Sequence, residues 1–195
     1  MDIIYECGKN YTDLLDMKYH FTISVNRKTR QLTIDFQTED FRHASGLHYV
    51  DDITIENNPS KVISSILDNE ITDEILNKSN KYKATSNVSG SIKERISEMR
   101  YLESYLDSSD FIRIYQMQDF GSMIDADYFI EASNFNRQST VYIFIRKREE
   151  NDNYVMVSFF KKHSTYKGKT TYWMKKVKEK NGVLTELYKH QNYNG

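Results

Sequence analysis

At Asp110 the hydrophobic pattern of the chain changes period, and that switch constrains the fold more than any other feature of the sequence. Before it, Ser91-Ile92-Lys93-Glu94 is a capping-box pattern leading into Ile92, Ile96, Met99, Leu102 and Leu106, apolar positions at helical spacing. After it, bulky and polar residues alternate over residues 111–117, 127–132, 140–145 and 154–160, as strands require. Two further alternating stretches, 171–179 and 183–188, bracket Asn181-Gly182, a dipeptide favoured in tight hairpin turns.

The N-terminal half adds a β-hairpin: residues 19–25 and 31–36 alternate, with Asn26-Arg27-Lys28-Thr29-Arg30 between them. A helical turn follows from Asp40, stopped near Gly46. The only proline, Pro59, opens a helix carrying Val62, Ile63, Ile66 and Leu67, and a second short helix is expected over residues 72–78. Residues 78–89 read as a loop, and the last few residues, to Gly195, as frayed. The expected class is α+β: an antiparallel sheet, built from a C-terminal meander and the N-terminal hairpin, packed against a few helices.

Residues 1–195 read as one domain, since nothing in 195 residues forces a split. The apolar fraction is only 38%, but 15 Tyr and 10 Phe supply large, strand-favouring side chains, which excludes disorder as the state of the whole chain. A lone Cys7 cannot form an internal disulfide, and no basic-then-apolar leader precedes it, so the expected compartment is the cytoplasm. No apolar run approaches the ~18 residues of a membrane span.

Net charge is −1, so any pull on a polyanion must come from charge distribution. Between Arg146 and Lys180 eleven basic residues face only Glu149, Glu150, Asp152 and Glu179. Within that stretch Lys161, Lys162, Lys167 and Lys169 are candidate phosphate contacts, and Tyr172 and Trp173 candidate base-stacking surfaces. Gly168 lies in an expected loop among them. The bland alternative is that these lysines keep an aromatic sheet soluble and guard its edges.

Chemistry concentrates between Phe41 and Tyr49, where Arg42, His43, Ser45 and His48 surround Gly46. Histidine titrates near neutrality and arginine holds phosphate in a fork of donors, so this grouping suits phosphodiester cleavage if it lies beside the basic sheet. Alternatively, one histidine packs and the other is solvated. No protein-held metal and no other cofactor is expected: His43 and His48 are five apart, with no cysteine or HExxH-type partner. The adjacent Asp51-Asp52 pair is expected to cap or solvate. P-loop, GxGxxG and nucleophile-elbow signatures are missing, and Cys7 has no activating neighbours in sequence.

In Tyr19-His20-Phe21, Phe41-Arg42-His43-Ala44-Ser45-Gly46-Leu47-His48, Tyr142-Ile143-Phe144-Ile145-Arg146-Lys147, Ser158-Phe159-Phe160 and Tyr166-Lys167-Gly168-Lys169-Thr170, the chain resembles the fourth phage class of barnase/EndoU/colicin/RelE-like nucleases. The resemblance implies a metal-independent ribonuclease that attacks through the RNA 2′-hydroxyl and leaves a cyclic phosphate. It casts His43 as leading proton carrier, His48 as the second, Arg146 or Lys147 as the stabilising cation, and Ser158 and Tyr166 as orienting groups. The implied partner is RNA, tRNA or guide RNA, with a toxin or an anti-CRISPR role as the setting. The competing expectation is a non-enzymatic inhibitor that binds nucleic acid or a host or Cas protein complex through its aromatic residues.

Overall fold

The structure, a computed structural model, describes residues 2–87, 89–116 and 124–194. Three positions covered by the sequence reading, Met117 at the end of an expected strand, Val88 in the expected loop and the terminal Gly195, lie outside the described residues. Among the described residues the chain forms seven α-helices and nine strands, and the α+β class holds.

The first helix, α1 (Ile3–Thr12), begins at Asp2, whose carboxylate accepts from the backbone N–H groups of Ile4 and Tyr5. The same carboxylate accepts from Asp73 N, while the Asp73 carboxylate accepts from Ile3 N and Ile4 N. Two helix starts, α1 and α4 (Asp73–Leu76), thus satisfy each other's orphan donors. Ile4, Cys7 and Tyr11 form the buried stripe of α1, an element not anticipated from the sequence.

The hairpin is β1 (Met17–Val25) and β2 (Lys28–Asp35), and its turn is tighter than expected. Asn26 and Arg27 both take positive φ, 50° and 64°, so two residues close the hairpin rather than five. The helix after it, α2 (Asp40–Ala44), does stop at Gly46, whose φ is +83°, and a 3-10 turn over Leu47–Tyr49 follows. Pro59 opens a 3-10 turn that runs into α3 (Val62–Leu67).

The segment expected to be a loop contains α5 (Asn80–Lys83), capped by Ser79. Asp52 holds that start in place, accepting from Ser79 Oγ at 2.5 Å and Asn80 N at 2.7 Å, the capping role expected of the acidic pair. The helix expected over residues 92–106 is two, α6 (Ile92–Met99) and α7 (Leu102–Ser108), broken at Arg100-Tyr101. Ser91 Oγ accepts from Glu94 N as a capping box demands. The Glu94 carboxylate turns instead to His163 Nε2 at 2.6 Å and Lys161 at 3.7 Å.

Then come β3 (Phe111–Tyr115), β4 (Tyr128–Asn134), β5 (Ser139–Lys147), β6 (Tyr154–Lys161), β7 (Gly168–Thr170), β8 (Tyr172–Lys180) and β9 (Val183–Lys189). The sheet order is β7-β3-β4-β5-β6-β2-β1-β8-β9. The C-terminal strands are therefore not one meander: the N-terminal hairpin is inserted between β6 and β8, and β2 meets β6 in parallel. One residue, Thr171, separates β7 from β8 although they lie towards opposite ends of that order, so the sheet must curl. Thr171 Oγ1 donating to Ile112 O at 2.7 Å and Trp173 Nε1 donating to Asp110 O at 3.1 Å hold the curl together.

Gly168 belongs to this closure. A Cβ there would sit 2.5 Å from the Ile114 carbonyl oxygen, so glycine serves close approach of β7 to β3 and not a phosphate-cradling loop. The helices cover one face of the strands, where Ile130, Ala132, Val141, Ile143, Met156 and Phe159 join Ile66, Ile96 and Leu106 in the main core. The opposite face carries a second core of Tyr115, Phe129, Tyr142, Phe144, Phe160 and Tyr166. A bulge in β6 decides which residues reach which face. Strict alternation would group Phe159 with Val155, but the register shift between Phe144 and Ile145 pairs Met156 with Ile145 and Ser158 with Phe144. Phe159 is thereby grouped with Met156 in the main core, and Ser158 shares a face with Phe144 and Phe160.

Candidate active site

A cavity of about 630 Å³ opens where α2 and the 3-10 turn after it lie against β6, with α6 behind. Its walls include His43, His48, Tyr49, Arg95, Arg146, Lys147 and Ser158. The N-terminal histidine segment and the C-terminal basic strands therefore do meet in space, a juxtaposition that sequence order could not establish.

Local geometry explains why both histidines face one cavity. On a continuous helix, residues five apart point to different faces, but Gly46 breaks α2 in the left-handed region and redirects the chain. The His43 and His48 rings consequently stack, with centroids 4.3 Å apart and planes 18° from parallel. His48 Nδ1 lies 3.4 Å from the Arg42 carbonyl oxygen, which can only accept, so Nδ1 donates and Nε2 is the basic nitrogen. Tyr49, 57% exposed, continues the stack at the cavity mouth, its ring centroid 3.8 Å from that of His48.

Burial and nearby positive charge favour the neutral form of both imidazoles. Desolvation, then the positive charges of Arg146, Arg95 and Arg42, lowers the His43 pKa below the ordinary histidine value. Desolvation and the neighbouring His43 push His48 down to about 4. Stacked rings at this distance repel once both are protonated, which disfavours the doubly charged pair.

Three arginines border the site in different ways. Arg146 is half-exposed and pairs with Asp125 at 2.5 Å. Arg148 is buried and clamps Asp35 (Nε to Oδ1, 2.6 Å) and Asp40 together, which ties the start of α2 to the end of β5. Arg95, on α6, is buried with no hydrogen-bond partner for its Nε, and it forms no ion pair among the described residues. Burial lowers its pKa to about 10. Its guanidinium lies over the Phe160 ring, 5.8 Å from the centroid.

Of the residues singled out from sequence, His43, His48, Arg146, Lys147 and Ser158 line the cavity, with Lys147 paired to Asp152 at 2.5 Å. Tyr166 does not: it packs in the second aromatic core, 5.2 Å from the Tyr142 and Phe144 rings. Arg42 turns away to Asn57 Oδ1 at 3.2 Å. Lys161 and Lys162 are engaged by Glu94 and Glu131, the latter at 2.7 Å. Lys167 and Lys169 are exposed. Tyr172 and Trp173 line a separate groove that shares no residue with the first. Trp173 packs on Phe21 at 5.0 Å, with Lys176 over its ring.

Arg95 is the site residue that sequence reasoning passed over. Its signal was present, since position 95 falls on the same helical face as Ile92, Ile96 and Met99, where a charged side chain is out of place.

The family model described as phage-Barnase-EndoU-ColicinE5/D-RelE like nuclease4 (PBECR4) matches residues 3–193. The chain belongs to this family. No curated protein and no solved structure matches it. Membership supports a nuclease-like function and a link to phages, and the match spans the histidine segment, α6 and the β5–β6 wall of the cavity alike.

Proposed function

We propose that the chain is a metal-independent endoribonuclease whose centre is the His43–His48 stack. The observation that carries this reading is the convergence of two stacked imidazoles with Arg146, Lys147 and Ser158 on one cavity. A ribose 2′-hydroxyl there loses its proton to His43, and O2′ attacks the adjacent phosphorus. The bond from phosphorus to O5′ breaks, leaving a 2′,3′-cyclic phosphate, and O5′ takes a proton delivered through His48. The entering phosphate is anionic, so it offsets the arginine charges and raises the imidazole pKa values, which lets a ring that is neutral in the free protein serve as acid.

Labelled tRNA, structured guide RNA and single-stranded DNA, incubated in EDTA with wild type and His43→Ala, test the proposal. Cyclic-phosphate ends are expected from wild type on RNA, with a rate lower by roughly 100-fold or more in the variant. Equal rates would remove His43 from the chemistry. Cleavage of DNA would remove the 2′-hydroxyl step.

A second reading, a non-enzymatic inhibitor docked on a host or Cas protein, is favoured by one observation: Tyr172, Val183 and Leu184 stand 65–68% exposed on the last two strands. Salt separates the two, because phosphate contacts weaken steeply with added salt and an apolar interface does not. An anti-CRISPR or a toxin role fits either reading and follows from whichever target is found.

A further inference from the structure

We propose that Arg95 is the phosphate receptor of the cavity, its guanidinium binding one phosphate or phosphodiester group in the space lined by His43, His48 and Ser158. The proposal deepens the ribonuclease reading and rests on it for the polymer, but not for the anion.

A guanidinium in a protein interior normally has carboxylates or carbonyls to meet its five donors, because burying it otherwise destabilises the fold. Arg95 is 8% exposed, its Nε lacks a partner, and no acid pairs with it among the described residues. What surrounds it holds it in place without neutralising it. The Phe160 ring lies on one side. Gly46 lies on another, where a Cβ would come within 3.0 Å of the Arg95 terminal nitrogen. The other cations on the cavity already have acids: Arg146 has Asp125, Lys147 has Asp152 and Arg148 has Asp35 and Asp40.

A planar guanidinium lining a cavity, with its buried Nε unpartnered, matches the tetrahedral oxygens of phosphate, and low local dielectric strengthens the contact. The carboxylates of Glu39, Glu149 and Glu150 also line the cavity. They disfavour an anion along their own wall and so favour the histidine side, where Arg95 lies. Both histidines feel the Arg95 charge, so an anion seated on it must be felt by both rings.

The test titrates inorganic phosphate, and separately a 2′-deoxydinucleotide that cannot be cleaved, into 15N-labelled wild type, Arg95→Met and Arg95→Lys, reading thermal melting and the imidazole and arginine Nε signals. In wild type, phosphate should raise the melting temperature, shift the His43 and His48 titrations upward and move the Arg95 Nε–H signal, identified by its loss in Arg95→Lys. Arg95→Met should melt no lower than wild type in phosphate-free buffer, since an apolar side chain replaces an unpaired charge. It should lose phosphate affinity by at least about tenfold.

If Arg95→Met does not fold, the wild-type Nε–H signal decides: an unmoved signal at saturating phosphate overturns the proposal. So does a folded Arg95→Met with wild-type phosphate response. Phosphate binding without cleavage of any RNA keeps the receptor and sinks the ribonuclease. RNA cleavage that survives Arg95→Met unchanged sinks the receptor and leaves the ribonuclease standing.

Discussion

Two arginines of the same cavity, Arg95 and Arg148, are equally buried at 8% exposure and differ in everything else. Arg148 donates to both Asp35 and Asp40, and those charged contacts drive its pKa above the usual arginine value despite burial. Arg95 has no such acids among the described residues, and desolvation brings its pKa down to about 10. Arg148 therefore acts on the fold, and Arg95 is left to act on something that enters. The contrast teaches that at this site the useful cation is recognised by the partner it lacks.

Arg148→Met should separate the two arginines most. Removing Arg148 leaves Asp35 and Asp40 facing each other without their cation, at 16% and 11% side-chain exposure. Chemical denaturation should show a loss of about 3–5 kcal/mol, the cost of breaking a buried ion pair from one side. The Asn153 side chain also donates to Asp35 at 2.6 Å and offsets part of that loss. If Arg148→Met and Arg95→Met destabilise by the same amount, the distinction between a structural and a free guanidinium fails.

Gly46→Ala tests the other side of the same contrast. The substitution asks a β-carbon to occupy the left-handed region at φ +83° while pressing on the Arg95 terminal nitrogen. A loss of about 1–2 kcal/mol is expected from backbone strain alone. RNA cleavage should fall by more than the unfolded fraction accounts for, because the displaced parts are the Arg95 head and the turn that stacks His43 on His48. A cleavage loss that simply tracks stability would show that Gly46 serves the chain turn only.

The comparison also explains what could be read from the sequence. Period-two alternation identified β1, β2, β3, β4, β5, β6, β8 and β9, and Asn181-Gly182 marked its turn, because these depend on neighbouring residues. The insertion of the hairpin beside β6, the β7 closure and the β6 bulge are set by residues far apart in the chain, and no local pattern carries them. Helix α1 was masked by Gly8 at its centre, although Ile4, Cys7 and Tyr11 keep helical spacing. In the site, His43, His48, Arg146 and Ser158 were legible as chemistry, while Arg95 was masked among its charged neighbours Lys93, Glu94 and Glu98. In the basic C-terminal stretch several charges are countered from distant parts of the chain, Lys178 by Glu103 and Asp107, Lys162 by Glu131 and Arg148 by Asp35 and Asp40, and no local pattern carries those pairings.

Lys175→Met should have the smallest effect. Lys175 lies on β8 in the segment that looks most like a polyanion surface, yet Glu186 on β9 stands 3.5 Å from its ammonium. Both groups are solvated, so Lys175→Met should change stability by less than about 1 kcal/mol. Because the lysine charge is already countered by Glu186, the slope of RNA affinity against salt should stay at its wild-type value, whereas loss of a true phosphate contact would reduce it by about one unit. A reduced slope would return the C-terminal strands to the nucleic-acid surface and make Arg95 one contact among several. An unchanged slope, beside a lost phosphate response in Arg95→Met, would confine recognition to the cavity, where a single unpaired guanidinium outweighs a run of paired lysines.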